Sequence, residues 1–283
     1  MAIDMSKAVH KFLNVQPINF FISQKKNPFF SLYIIIFIFL NLYCVFSFPG
    51  KMLAIFSNAI IRAPEELIHA GIRTPTPKKP ALDLLHAFLT TFPSSVSMSI
   101  NSLAYISYTH DNESSLHPRL FAVKDEIFCM FEGSLENLTS LRQQYGLGKK
   151  ENEVVLVMEA YRALRDRAPY PTSSMLGHLS GGFSFIIFDK TTSTVFVASD
   201  QDGRVPLFLG ITSDGYLAFS NDSERLRGAC GKSLASFPSG CFFSSSTGLK
   251  SYEHPKNKIT AVPAMEEDVL GATFKIERPN ANC

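Results

Sequence analysis

Four short apolar segments follow one another late in the chain, and they constrain the fold more than any other feature of the sequence. They cover residues 183–188, 194–199, 206–210 and 216–220. Their connectors, DKTTS, DQDGR and ITSDG, are rich in the Gly, Asp, Ser and Thr residues that form turns. Strand-length apolar segments joined by such connectors predict an antiparallel meander.

Helical patterns precede this meander. Residues 82–92 carry leucines on one face, and Ser134 offers an N-cap for a helix that closes at Gly146. An Asn152 cap then precedes an apolar stripe that ends in the tetrad LRDR at 164–167. Cations in a last turn complement the helix dipole, which suffices to explain LRDR, with a binding role as the alternative. Helices and strands in this order predict an α+β domain in which helices pack on sheets.

The charge balance and the reactive residues exclude several functional classes. The 283 residues include 27 Lys and Arg against 25 Asp and Glu, a net charge of +2. That balance excludes the broad basic surface of non-specific nucleic-acid binding, so no nucleic-acid partner is expected. The five cysteines form no CxxC pair, and the seven histidines form no HxH or HExxH motif. We therefore expect neither a metal nor another cofactor.

An uncharged run of 21 residues, 28–48, lies near the N-terminus. As a helix it would span roughly 31 Å, which matches the hydrocarbon core of a bilayer. Three interpretations remain open: a signal anchor, a cleaved signal peptide, or a non-native extension whose true start is Met52 rather than Met1. We expect a single-pass membrane protein if residues 1–51 are retained, and otherwise a cytoplasmic or nuclear one.

Five motifs occur in order along the rest of the chain. They are EGSLENLTSLRQQYGL (132–147), ENEVVLVMEAY (151–161), LSGGFSFIIFD (179–189), SDQDGRVPLF (199–208) and FPSG (237–240). In this order they resemble the class-II glutamine amidotransferase domain at the N-terminus of asparagine synthetase. With YGL at 145–147 and LRDR at 164–167, the chain resembles still more closely the plant aluminium-induced proteins named for those two motifs.

The resemblance implies a domain organisation and a fold. Residues 52–277 would be the amidotransferase-like domain and residues 278–283 a tail, and residues 1–51 would be an N-terminal extension outside the family pattern. The implied fold is an Ntn-hydrolase-like αββα sandwich of α+β class, with two antiparallel sheets between helical layers. The apolar run adds a transmembrane or signal-anchor helix at 28–48 before this sandwich. The family name also implies a response to aluminium, hormones or stress.

The nucleophile of the amidotransferases has no counterpart here. By the resemblance, those enzymes hydrolyse glutamine with an N-terminal cysteine, whose thiolate attacks the amide and whose α-amine acts as the base. The family pattern M-C-G-I becomes Met52-Leu53-Ala54-Ile55, and the Leu53 side chain has no nucleophilic atom. If residues 1–51 are retained, the nitrogen of Leu53 is also an amide. We expect no catalytic residue, and we expect Leu53 to fill the space of the thiol.

The same resemblance singles out ligand-binding candidates. Glu132 replaces the asparagine that donates to the oxyanion in the family, and a carboxylate there would repel negative charge, whereas Gly133 still offers a backbone N–H. Glu151 matches the aspartate that receives the substrate ammonium, or it is a first-turn acid favoured by the helix dipole. Asp200 and Gly203 belong to a segment near the family's substrate pocket, although turn formation also explains them.

Three functions remain open. The leading hypothesis is a non-catalytic amidotransferase-like protein that acts as a ligand-sensing or protein-interaction scaffold, with a small amide, an amino acid or an unidentified protein as partner. The alternatives are an amidohydrolase or amidotransferase with a relocated nucleophile, and a single-pass membrane-anchored interaction protein. Exposed sheet edges are compatible with a homo-oligomer without fixing one.

Overall fold

The computed structural model describes residues 50–65, 67–69, 77–109, 121–167, 171–254, 256–264 and 270–278, and every structural statement below concerns these ranges. The hydrophobic run 28–48, and with it the predicted membrane helix, lies outside them. Among the described residues, no helix has the length and apolar character needed to cross a membrane.

Strands and helices alternate irregularly along the described chain. Numbered in chain order, they are β1 (Met52–Phe56), α1 (Ala81–Thr91), β2 (Val96–Ile100), β3 (Ala104–Tyr108), β4 (Phe121–Lys124), β5 (Ile127–Leu135), α2 (Leu138–Gln144), α3 (Glu153–Asp166), α4 (Thr172–Gly177), β6 (Gly181–Asp189), β7 (Thr194–Ser199), β8 (Phe208–Ile211), β9 (Leu217–Ser220), α5 (Ser223–Cys230), β10 (Leu234–Ser236), β11 (Cys241–Ser244), β12 (Gly248–Ser251), β13 (Lys258–Pro263) and β14 (Ala272–Glu277).

The strands form two sheets. An eight-stranded sheet has the order β13-β14-β10-β8-β9-β1-β3-β2, and a six-stranded sheet has the order β12-β11-β7-β6-β5-β4. Neighbours pair antiparallel, except for β10 and β14, which run parallel. Strand β1 is central in its sheet, between β3 and β9, so its backbone is hydrogen-bonded on both sides.

Three hydrophobic clusters define four layers. Between the sheets, the ring of Phe56 lies 5.7 Å from that of Phe188 and 6.2 Å from that of Phe219. Helices α1 and α5 cover the outer face of the eight-stranded sheet. Helices α2, α3 and α4 cover the outer face of the six-stranded sheet. The predicted α+β class with two sheets is therefore confirmed, and the layers run helices, sheet, sheet, helices.

The predicted meander is wrong in one respect, because its four strands belong to two sheets. Strands β6 and β7 pair in the six-stranded sheet, whereas β8 and β9 pair in the eight-stranded sheet. The connector between them is not a hairpin turn. Its buried Asp200 carboxylate accepts hydrogen bonds of 2.9–3.1 Å from the backbone N–H groups of Phe183, Asp202 and Arg204. This cap turns the chain out of one sheet before it enters the other.

Two of the predicted helices are confirmed to within a residue at each end, and one begins later than predicted. Helix α1 agrees, and helix α3 begins after Asn152, whose side chain accepts from the Val155 N–H at 3.2 Å as an N-cap. The N-cap predicted at Ser134 is wrong, since β5 continues to Leu135 and α2 begins only at Leu138. Pairing with β6 holds residues 132–135 in the sheet.

An ion pair formed by the LRDR tetrad connects helix α3 to the end of β6. Arg165 Nη1 lies 3.0 Å from Asp189 Oδ2, and the Asp189 side chain is fully buried. The Tyr161 hydroxyl, one turn earlier on the same helix, donates to the same Oδ2 at 3.3 Å. The tetrad thus has a structural role, through an ion pair that the sequence pattern did not predict.

Candidate functional site

Glu132 faces the space between the two sheets. It lies on β5 opposite Ser184 of β6. Side chains alternate along a strand, and Met130 belongs to the cluster between the sheets, so Glu132 points the same way. Only 8% of Glu132 is exposed. A carboxylate in this environment requires hydrogen-bond partners.

Asn221, the residue after β9, is such a partner and joins the two sheets. Its Nδ2 donates to Glu132 Oε2 and to the Gly50 carbonyl, each at 2.7 Å. Its Oδ1 accepts from the Met52 backbone N–H at 3.1 Å, and the neighbouring Ser220 Oγ donates to the Met52 carbonyl at 2.8 Å. The start of β1 is therefore hydrogen-bonded to the same side chain that holds Glu132.

The electrostatics of this cluster raise the pKa of Glu132. Burial raises the pKa of the Glu132 carboxyl to about 7, and the hydrogen bond from Asn221 and the charge of Lys51 oppose that rise without cancelling it. The Lys51 ammonium lies 3.3 Å from Asp222 Oδ2, so its charge is shared. At neutral pH, Glu132 is therefore present in both its protonated and its ionised form.

Ser184 adds a hydroxyl next to Glu132. The two residues are paired across β5 and β6, so their side chains share one face of the sheet. Ser184 is fully buried, and its Oγ has no hydrogen-bond partner among the described residues. Buried polar atoms are normally paired, so this hydroxyl is an exception, and it lies next to Glu132.

Gly133 is held by a close backbone contact. Its φ of +112° is a conformation that other residues rarely adopt, and a Cβ there would lie 2.1 Å from the carbonyl oxygen of Gly182. Gly133 is exposed, unlike its neighbour Glu132. The close approach of β5 to β6 therefore explains why residue 133 is a glycine, and no contact with an oxyanion is needed to explain it.

Leu53 does not lie beside Glu132. Its side chain belongs to the cluster under α1 and α5, with Ile55, Leu84 and Phe88, on the outer face of the eight-stranded sheet. Met52 faces the space between the sheets instead. The alternation of β1 thus directs the Leu53 side chain to the face of the sheet opposite to Met52. That Leu53 fills the space of the thiol stays a prediction.

Glu151 is not joined to this cluster. It lies just before α3, in the layer outside the six-stranded sheet, and its carbonyl accepts from the Arg142 guanidinium, with Nε at 2.7 Å. Among the described residues, no hydrogen bond or ion pair links its carboxylate to Glu132. The hydrogen bond from Arg142 connects the segment between α2 and α3 to α2.

Asp200 and Gly203 build a loop. The Asp200 carboxylate is buried and caps the backbone amides of its own loop. Gly203 has a φ of +64°, and a Cβ there would lie 3.2 Å from the Cβ of Ser239. Within the described ranges, no group of three or more His, Cys, Asp or Glu side chains is placed to hold a metal ion.

The described cysteines are buried thiols. Burial raises the pKa of Cys230 and of Cys241 to about 12, with the neighbouring Glu253 charge adding to the effect at Cys241 and that of Lys78 opposing it at Cys230. Burial raises the pKa of Cys129 as well. Thiols in such surroundings keep their protons at neutral pH and are poor nucleophiles.

Comparison with known sequences decides the family. The profile of the family described as "Aluminium induced protein" matches residues 53–276, most of the chain. The chain belongs to the aluminium-induced protein family. It is also 39% identical over 149 residues to the stem-specific protein TSJT1 of Nicotiana tabacum, a match that covers 52% of this chain and 99% of that protein.

Other relatives of this aluminium-induced family member are longer enzymes. The chain is 36% identical over 69 residues to a probable asparagine synthetase of Dictyostelium discoideum and 32% identical over 93 residues to the asparagine synthetase of Zea mays. These matches cover 24% and 32% of this chain but only 12% and 16% of the enzymes. A glutamine phosphoribosylpyrophosphate amidotransferase structure from B. subtilis aligns with a TM-score of 0.46 at 13% identity, over 71% of this chain and 48% of that one.

Proposed function

We propose that this aluminium-induced protein is a non-catalytic relative of the class-II glutamine amidotransferases, an Ntn-hydrolase-like sandwich that serves as a ligand-sensing scaffold. The observation that carries the proposal is Leu53, a hydrocarbon side chain at the position that, by the resemblance, matches the nucleophilic cysteine. In a chain that includes Met52, the nitrogen of Leu53 is a peptide amide and has no basic lone pair. Both reactive groups of the amidotransferase mechanism are then missing.

A relocated cysteine is the main alternative, and the described thiols argue against it. Cys129 and Cys230 are fully buried, as is Cys241, and burial keeps all three protonated at neutral pH. A nucleophilic cysteine requires a lowered pKa and an accessible sulfur. These three residues have neither property.

The Glu132 cluster supports a ligand that donates hydrogen bonds. Glu132 presents carboxylate oxygens, and Ser184 presents a hydroxyl without a partner among the described residues. An oxyanion would be repelled by the ionised carboxylate, whereas an amide N–H or an ammonium would be attracted to it. We therefore propose a small amino acid or amide as the ligand, bound without hydrolysis.

Turnover and binding test the two parts of this proposal separately. Full-length protein incubated with glutamine should release no ammonia above the rate of buffer alone. Sustained ammonia release that a single substitution abolishes would overturn the non-catalytic part.

Binding is measured by isothermal titration calorimetry with glutamine. The conservative variant Glu132→Gln should weaken binding at least about tenfold, because it removes the negative charge that attracts the ligand. The matched control is Glu136→Gln, four residues along the chain, whose side chain is 63% exposed and pairs with Arg204. Equal loss in both variants, or no loss in Glu132→Gln, contradicts the proposed site.

A further inference from the structure

A separate cavity lies at the ends of β8 and β9, and it shares no lining residue with the Glu132 cluster. Its volume is about 460 Å³, within the range of about 300–1,000 Å³ that is usual for small-molecule sites. The walls are largely apolar and include Ile61, Ile68 and Ile211. Ile61 is almost fully buried, whereas Ile68 is 41% exposed, which makes it a hydrophobic side chain with a free face at the rim.

A single lysine projects into this apolar environment. Lys78 Nζ donates to Ser233 Oγ at 2.5 Å, and both residues line the cavity. An ammonium group has three N–H donors, so two remain for another acceptor. Lys78 forms no ion pair with an acidic side chain in the described part of the chain. Burial lowers its pKa, with a smaller opposing effect from Cys230, so the charged form is poorly solvated where it lies.

The backbone immediately after Lys78 is fixed. The Lys79 N–H donates to the carbonyl of Ala229 at 2.9 Å, and the Lys79 carbonyl accepts from the Ser213 N–H at 3.0 Å. The Ile211 N–H donates to the carbonyl of Ser233 at 3.1 Å. Backbone hydrogen bonds therefore fix the segments that carry Lys78, Ser233 and Ile211 before a ligand binds. This reduces the entropy lost on binding.

We propose that this cavity binds a small amphipathic carboxylate. The carboxylate accepts hydrogen bonds from the Lys78 ammonium and the Ser233 hydroxyl, and the hydrocarbon body packs against Ile61, Ile68 and Ile211. Ionic hydrogen bonds of this kind are stronger than neutral ones, and an apolar surrounding strengthens them further. Arg62 and Glu65, which carry opposite charges, also line the cavity.

The test compares three probes with the same chain length. Octanoate, octan-1-ol and octylammonium are titrated into the full-length protein by calorimetry. Octanoate should bind with one-to-one stoichiometry and at least about tenfold more tightly than octan-1-ol, and octylammonium should bind most weakly. Equal affinities for octanoate and octan-1-ol overturn the proposal, because the lysine would then select nothing.

Two variants with one control assign the site. Lys78→Met keeps the length of the apolar stem, and it should lower octanoate affinity at least about tenfold while leaving octan-1-ol binding unchanged. The control is Lys79→Met, since Lys79 is the adjacent and exposed lysine. Ile68→Ser should weaken both probes alike, because it shortens the apolar wall. An unchanged octanoate affinity in Lys78→Met, or equal losses in both lysine variants, contradicts the assignment.

A measurement on the wild-type chain avoids any folding defect of these variants. Acetic anhydride labels accessible amines, and mass spectrometry of peptides measures the extent at each lysine. Octanoate should slow acetylation of Lys78 relative to Lys79, while octan-1-ol should protect Lys78 less. If octanoate leaves the ratio of the two lysines unchanged, the carboxylate does not bind Lys78. Neither outcome depends on the proposed role of Glu132.

Discussion

Asp189 and Glu132 are two buried carboxylates of the six-stranded sheet, and their surroundings shift their pKa values in opposite directions. Burial opposes the ionisation of Asp189, but hydrogen bonds from Arg165 and Thr192 together with the charge of Arg165 outweigh it and lower the pKa. At Glu132, burial outweighs the hydrogen bond from Asn221 and the charge of Lys51, and the pKa rises to about 7.

Asp189 has a structural role, whereas Glu132 is a candidate functional residue. Asp189 accepts hydrogen bonds from Arg165, from the Tyr161 hydroxyl and from the backbone of Thr191, so its charge is fully compensated. Glu132 instead is a carboxyl group whose charge its surroundings disfavour, and Asn221 links it to the start of β1. Groups with incompletely compensated charge are frequent at functional sites, and this asymmetry directs attention to Glu132.

The largest effect is expected from Asp189→Asn. Removing the charge leaves Arg165 without its buried partner, and unfolding by urea should show a loss of roughly 3–4 kcal/mol, because broken buried pairs are strongly destabilising. The matched variant Asp166→Asn removes the exposed partner of the same arginine and should leave stability almost unchanged. Equal losses of stability in the two variants would show that the buried and the exposed partner of Arg165 contribute alike, which would contradict this expectation.

A smaller effect, dependent on pH, is expected from Glu132→Gln. The carboxyl has a pKa of about 7 in the folded chain and an ordinary value of 4.5. The folded state therefore binds more protons in that interval, and the wild-type chain should lose about 2–3 kcal/mol of stability as pH rises from 4.5 through 7. The glutamine variant lacks this loss, so it should match the wild type near pH 4.5 and exceed it near pH 8.

Urea unfolding at several pH values checks this expectation, with Glu136→Gln as the exposed control. A difference between Glu132→Gln and the wild type that does not change with pH would show that Glu132 titrates normally. The comparison with Asp189 would then fail, since both carboxylates would be fully compensated.

The smallest of the three effects is expected from Asn221→Ala. It removes the amide that donates to Glu132 and to the Gly50 carbonyl and that accepts from the Met52 N–H, and the net loss of stability should be about 1–2 kcal/mol near pH 5. Without that hydrogen bond, the pKa of Glu132 should rise above 7, so the variant should continue to lose stability between pH 7 and pH 8. An unchanged pH window would show that Asn221 does not support the ionised form.

Local patterns in the sequence predicted individual elements better than their connections. The Asn152 cap and the apolar stripe after it identified α3, and the apolar segments identified β6 to β9. The assignment of those four strands to one meander failed at Asp200, because a carboxylate that caps amides in its own loop resembles an ordinary turn residue in the sequence. Whether strands joined by such a loop share a sheet depends on contacts that form only in the folded chain.

The candidate site was predicted in part. Glu132 was identified through the resemblance, but its partner Asn221 was not, because it lies 89 residues from Glu132 and 169 from Met52 in the sequence. The Ser184 hydroxyl and the Lys78 cavity also had no sequence signal, since each consists of residues brought together by separate strands and turns. The sequence also did not predict the direction of side chains. At Leu53, that direction follows from the alternation of side chains along β1.

The central claim is that this chain keeps the amidotransferase framework without a residue that attacks an amide. Intact-mass spectrometry of the full-length protein, quenched in acid during incubation with excess glutamine, tests it most directly. A covalent glutamyl adduct is the intermediate that any nucleophilic mechanism must form. The account predicts an unchanged protein mass at every time point. A glutamyl adduct that appears and then decays, on any residue, would contradict it.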